Sequence, residues 1–160
     1  MSSFRTEVDV KPAPISKRIS LEDKVTLMGS CFSDNMAAKL QVNKFSVESN
    51  PFGVSFHPLS LAWSLDRLLT GLPFTRDDLD HGPNGGPWFS YQHHSSFSSH
   101  IPSECLNLMN ARLSEARAHM MESKLLCLTL GSAWAYVRKD TVRSSVMRIY
   151  AWEFPSAADE

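Results

Sequence analysis

Apolar and polar positions alternate between two rhythms along this chain. Val25, Thr26, Leu27 and Met28 form a β-branched, apolar run that halts at Gly29, which predicts a first strand over 24–28. Met36, Ala37 and Leu40 then recur at helical spacing and predict a helix over 33–41. The alternating segment Lys44–Glu48 reads as a second short strand, and Asn50-Pro51-Phe52-Gly53 supplies turn chemistry after it. A helix over 58–70 starts at Pro58 and ends at Gly71, with Leu59, Ala62, Trp63, Leu65, Leu68 and Leu69 as its apolar face.

Periodicity is lost over 71–100, a long irregular stretch rich in glycine, proline and serine, and long loops in compact domains are often functional. It returns at 103–122, where Leu106, Met109, Leu113, Ala116 and Met120 predict a helix with Ser103 as N-cap. Leu125–Leu130 is a continuous apolar run, expected to be a buried strand parallel to the first because a helix precedes it. Before residue 20, Val8 and Val10 alternate around Asp9 and suggest an extended lead-in at a sheet edge. Beyond Val137 the pattern fades. The order predicts an α/β fold with a parallel sheet and flanking helices, although only three strands are convincing.

Composition narrows the picture. At 160 residues the chain is one domain, large enough for a core without disulfides or metal. A net charge of −1 with mixed signs gives no basic stripe for nucleic acid. No apolar run reaches the length of a membrane span and no signal segment is visible, so a cytoplasmic protein without membrane contact is expected. Cys31, Cys105 and Cys127 lack paired spacing, and Cys127 lies in an apolar run as a core residue would.

The candidate chemistry centres on Ser30, placed where a strand gives way to a helix. Gly29 allows the sharp bend, and the helix N-terminus offers free N–H groups to an anionic intermediate. Ser30 is therefore either a nucleophile or a plain helix cap. Cys31 is the rival nucleophile, because a thiolate at a helix N-terminus is stabilised there. His93 and His94 are adjacent, so in an extended segment their rings point to opposite sides, and one of them is a candidate base. Their alternative role is to order the loop by bonding its backbone. His81, His93, His94 and His100 with Asp77, Asp78 or Asp80 match no strong metal-ligand spacing, so neither metal nor other cofactor is expected. Trp88 and Trp134 are candidates for a substrate pocket or for the core.

Four ordered blocks carry a resemblance: GSCF at 29–32, NPFG at 50–53, WFSYQHHSSFS at 88–98 and TLGSAW at 129–134. Together they resemble the GSCFA family over roughly residues 15–137, with Ser33 where the family name has its final Ala. That family is similar to the SGNH/GDSL hydrolases, so the resemblance implies a flavodoxin-like three-layer sheet and ester hydrolysis. It implies Ser30 as nucleophile, the Ser30 and Gly53 N–H groups as oxyanion donors and Asn50 as a candidate side-chain donor. The third block, where SGNH enzymes place an asparagine, has Gly131-Ser132-Ala133-Trp134 here, with Ser132 as the candidate donor. Such donors are typically worth about 3–4 kcal/mol each.

The histidine and aspartate that SGNH enzymes carry near the C-terminus have no counterpart, since no histidine follows His119. The stretch 138–160 also diverges from the family. The expectation is thus a partial SGNH-type domain lacking its C-terminal part, weakly active on a small-molecule or polysaccharide ester. The alternative is a non-catalytic fragment or interaction module, self-associating through an open sheet edge.

Overall fold

The computed structural model describes residues 19–132, together with the backbone of two short strands at Tyr136–Val137 and Ile149–Tyr150. The expected lead-in around Val8, Trp134 and most of the tail lie outside the described residues. The β-branched run forms β1 (Lys24–Gly29), followed by α1 (Cys31–Val42) and β2 (Ser46–Ser49). After the Asn50–Gly53 turn come α2 (Pro58–Thr70), a two-residue hairpin of β3 (Asp80–His81) and β4 (Trp88–Phe89), α3 (Pro102–Met121) and β5 (Ser123–Thr129). Tyr136–Val137 (β6) and Ile149–Tyr150 (β7) pair antiparallel.

The main sheet is parallel, in the order β2-β1-β5. Counting only its own strands, this is the 2-1-3 start of a flavodoxin-like sheet. Side chains of β1 alternate between two faces, as a strand requires. Val25 and Leu27 pack with Ala37 of α1 on one side, whereas Met28 joins Leu61, Leu68, Met109 and Leu113 of α2 and α3. The chain is thus a three-layer α/β/α arrangement with β1 at its centre. All five carboxyl-terminal residues of β1, Val25–Gly29, are buried. An Arg112–Glu48 ion pair ties α3 to the end of β2.

Three expectations need correction. The buried face of α2 is Ser60, Leu61, Ser64 and Leu68, while Leu59 and Leu69 are exposed. Two small polar residues on the inner face shifted the apparent stripe, and their small volume leaves room for a cavity described below. The strand over 125–130 pairs only with β1 among the described residues, so it is an edge rather than a buried strand, and Leu125, Leu126 and Leu128 are exposed. Finally, α3 begins one residue before Ser103, with Ile101 as N-cap and Pro102 in its first turn, where a missing N–H costs nothing.

Candidate active site around Ser30

The C-terminal ends of the three parallel strands, at Gly29, Ser49 and Thr129, converge on Ser30. Ligands in open α/β sheets bind in the crevice beyond these ends. Gly29 has φ +136, and a Cβ there would run into the Thr129 backbone, so the bend needs glycine. Ser30 follows as the N-cap of α1, half-buried, and its side chain makes no capping bond. The Oγ instead lies 3.1 Å from Thr129 Oγ1.

Thr129 is the hub that sequence reasoning missed. Its Oγ1 accepts from Ser30 N–H at 3.0 Å and bonds the fully buried Ser33 hydroxyl at 2.7 Å. Its backbone oxygen also accepts from Ser30 N–H, at 3.1 Å, which extends the β1–β5 ladder one residue past Gly29. The only sequence signal was a polar residue closing an apolar strand. A bond across 99 positions leaves no local trace.

Asn50 is brought to the same place. Its Oδ1 accepts from Gly29 N–H at 2.7 Å, and its Nδ2 donates to Asp34 Oδ1 at 2.8 Å, which also receives the Ser49 hydroxyl. Asp34, in the first turn of α1, therefore orients the amide of Asn50. Asn50 holds φ +39, a left-handed conformation that asparagine tolerates.

Both backbone donors assigned by resemblance are engaged within the chain. Ser30 N–H is shared between the two Thr129 oxygens, and Gly53 N–H donates to Asn50 O at 2.9 Å, closing the turn. By contrast, an α-helix leaves its first N–H groups without partners, and Ser30 does not cap those of Cys31 and Phe32. The anion-directed donors next to Ser30 are thus the amides one and two residues beyond it. Cys31 itself is exposed.

A cavity of about 550 Å³, within the size range of small-molecule sites, is lined by the segment after Asn50, and Ser30 is not among its lining residues. Its wall includes Phe52–Phe56, and this loop is fastened to the Gly29–Ser30 turn through Ser55 N–H to Gly29 O at 2.8 Å. Gly53, His93 and His94 line it. Gly53 has φ +110, and a Cβ there would lie 2.7 Å from His94 Cβ. That close approach lets His94 N–H reach Phe52 O at 2.8 Å. Ser132 joins the same loop, its N–H and that of Gly131 both donating to Phe56 O at 3.0 Å.

The two histidines part ways. His93 packs against Phe52, Trp63, Phe74 and Phe97, and both ring nitrogens are enclosed without a hydrogen-bond partner. Burial pushes its pKa down to about 3, and the Arg67 charge adds to the effect. His93 is therefore neutral at physiological pH. His94 is exposed, and its Nδ1 accepts from Ser96 N–H at 3.2 Å. Neither ring is hydrogen-bonded to Ser30, whose Oγ lies against Thr129.

Trp88, a candidate for pocket or core, lies against the large core cluster, with Arg76 3.6 Å above its ring and His81 at 4.4 Å. Among the described residues no three His, Cys, Asp or Glu side chains gather as a metal site requires, and no helix is long and apolar enough to cross a membrane.

The GSCFA family matches residues 24–150, most of the chain and past Val137 where the recognisable blocks end; the chain belongs to this family. No curated protein and no solved structure matches it.

Proposed function

We propose that the chain is an acyl-ester hydrolase domain with Ser30 as its nucleophile. The observation that carries this reading is a serine hydroxyl at the head of a 12-residue helix that does not cap it. It sits at the carboxyl ends of three parallel strands, and the loop bonded to Gly29 through Ser55 lines a cavity. In the reaction, Ser30 Oγ bonds to the ester carbonyl carbon, and the Cys31 and Phe32 amides receive the oxyanion. The alcohol leaves with a proton, and water then releases the acid from the acyl-serine.

The weak point of the chemistry is the Ser30 proton. Thr129 and Ser33 hydroxyls can pass it along but cannot hold it, and the imidazoles of His93 and His94 are not arranged to accept it. Turnover is therefore slow at neutral pH and limited by serine ionisation. The test is hydrolysis of 4-nitrophenyl acetate between pH 6 and 9 by the wild type and Ser30→Ala. A Ser30-dependent rate that climbs steadily with pH supports the reading; an equal rate in the folded Ser30→Ala chain ends it.

A second reading rests on a different observation, the exposure of Leu125, Leu126 and Leu128 along β5. An apolar strand edge with no partner among the described residues is a template for another chain, and a second copy of this one is the simplest occupant. Sedimentation velocity across a concentration series tests it. Association that Leu128→Lys abolishes supports the reading, and a monomer at all concentrations removes it.

A further inference from the structure

The hairpin between β3 and β4 turns on a pair of residues with chemistry of their own. Its tip runs Gly82-Pro83-Asn84-Gly85-Gly86-Pro87 and is closed by two backbone bonds, Gly82 N–H to Pro87 O at 2.9 Å and Gly86 N–H to Pro83 O at 3.1 Å. Asn84 and Gly85 are the central residues of the inner turn, with φ +54 and φ +76. Positive φ at both central positions suits the twist of a hairpin, and Asn-Gly is the pair that adopts it at least cost. The turn has thus selected the dipeptide in which an asparagine amide is most open to attack by the next backbone nitrogen.

The chain has six asparagines, and the structure sets Asn84 apart from the other five. Asn35, Asn107 and Asn110 lie within α1 and α3, where helical hydrogen bonds fix the backbone, and Asn43 is the C-cap of α1. Asn50 precedes Pro51, which has no N–H to attack with, and its amide is bonded to Gly29 and Asp34. Asn84 alone precedes glycine. Asn84 and Gly85 are both exposed, and a Cβ built at Gly85 would meet no atom within 4 Å. Nothing crowds the attacking nitrogen, from its own side chain or from a neighbour.

We propose that Asn84 is a site of spontaneous covalent modification, where the amide converts through a cyclic imide to aspartate and isoaspartate. Hydroxide takes the Gly85 N–H proton, and the nitrogen bonds to Asn84 Cγ. The Cγ–Nδ2 bond breaks, ammonia leaves, and a five-membered imide remains. Water then opens the ring. Cleavage between Cγ and the Gly85 nitrogen gives aspartate on the original backbone. Cleavage between the Asn84 carbonyl carbon and that nitrogen gives isoaspartate, with the main chain running through Cγ. Either way a water is consumed and an ammonia released.

Both products place a negative charge between Pro83 and Pro87, which line a cavity to which no Asp, Glu, Lys or Arg side chain contributes among the described residues. Isoaspartate also lengthens the main chain inside the turn, so the Gly86 N–H to Pro83 O bond cannot keep its geometry. Ser30 plays no part in this chemistry.

The test holds the purified chain between pH 6 and 9 and follows it with time. A brief trypsin digest yields the peptide Asp77–Arg112, which carries Asn84, Asn107 and Asn110 together. Electron-transfer fragmentation in the mass spectrometer places each conversion and tells aspartate from isoaspartate. The free peptide of residues 82–87 and the Asn84→Gln and Gly85→Ala chains run in parallel. The expected result is conversion at Asn84 that accelerates with pH, gives both isomers and runs tenfold or more ahead of Asn107 and Asn110. Asn84→Gln, whose longer side chain closes a ring far less readily, abolishes it over the same time. Gly85→Ala, whose methyl crowds the nitrogen, slows it tenfold or more; if that chain does not fold, Asn107 and Asn110 carry the comparison.

An Asn84 that stays intact at pH 9 while the free peptide converts overturns the proposal. So does conversion no faster than at Asn107 or Asn110, or aspartate formed without isoaspartate.

Discussion

Replacing Gly53 by Ala strikes the joint between the nucleophile side of the site and the histidine loop. Two effects add. An L-residue at φ +110 is strained by about 1–3 kcal/mol. The new Cβ would also lie 2.7 Å from His94 Cβ and 3.1 Å from His94 N, so the loop must withdraw and the 2.8 Å bond from His94 N–H to Phe52 O is lost. A bond of that kind is worth about 0.5–1.5 kcal/mol net. The expected destabilisation is about 2–4 kcal/mol, or a fall of about 4–16 °C in thermal midpoint for a chain of this size. Scanning calorimetry and urea unfolding measure it. Because part of the cost is steric, the double variant Gly53→Ala/His94→Gly should lose less than the two single losses combined. A Gly53→Ala chain within about 1 °C of the wild type, or strict additivity in the double variant, would refute the close packing of these two residues.

Other outcomes follow from the same geometry. Thr129→Val removes the hydroxyl that satisfies the fully buried Ser33 Oγ, and should cost about 1–3 kcal/mol in urea unfolding while slowing any Ser30-dependent turnover. An unchanged urea midpoint would show that Ser33 has another partner. The His93 pKa is about 3 in the folded chain against 6.5 for an ordinary histidine, so the unfolded state takes up the proton first. Its contribution is complete above pH 6.5 and declines as pH falls toward 3, by about 1.4 kcal/mol per pH unit. Urea midpoints at pH 7 and 5 should therefore converge in His93→Phe relative to the wild type; identical pH slopes in the two chains would contradict a buried neutral ring. Asp34→Ala frees the Asn50 amide and exposes no cavity, so it should lower turnover more than stability, a split read by kcat against thermal midpoint.

Element order was legible because each strand and helix carried its own period. The strand at Val25–Met28, the GSCF turn and the Pro58–Gly71 helix declared their ends through glycine and proline, whose backbone limits are local. Burial was less legible, since it depends on what packs opposite. Leu125–Leu130 reads as core by composition and is an edge because among the described residues only β1 pairs with it. Ser60 and Ser64 fall outside the apolar stripe that predicts the 58–70 helix, yet they belong to the inner face of α2 and to the cavity wall.

At the site, Ser30 and Gly53 were found by their backbone requirements, but the partners that define their chemistry were not. Thr129, Asp34 and Ser55 look ordinary in the chain and act only through long-range contacts. The opposed fates of His93 and His94, one enclosed in aromatics and one bonded to its own loop, follow from the turns around them rather than from residue type.

The central claim is that Ser30 is a nucleophile held ready but weakly activated. It is tested most directly by incubating the folded chain with a fluorophosphonate probe across pH 6 to 9 and mapping the modified peptide. The account predicts slow labelling of Ser30 that accelerates with pH and is lost in Ser30→Ala. No modification of Ser30 at any pH, or modification centred on Cys31 or another serine, would contradict it.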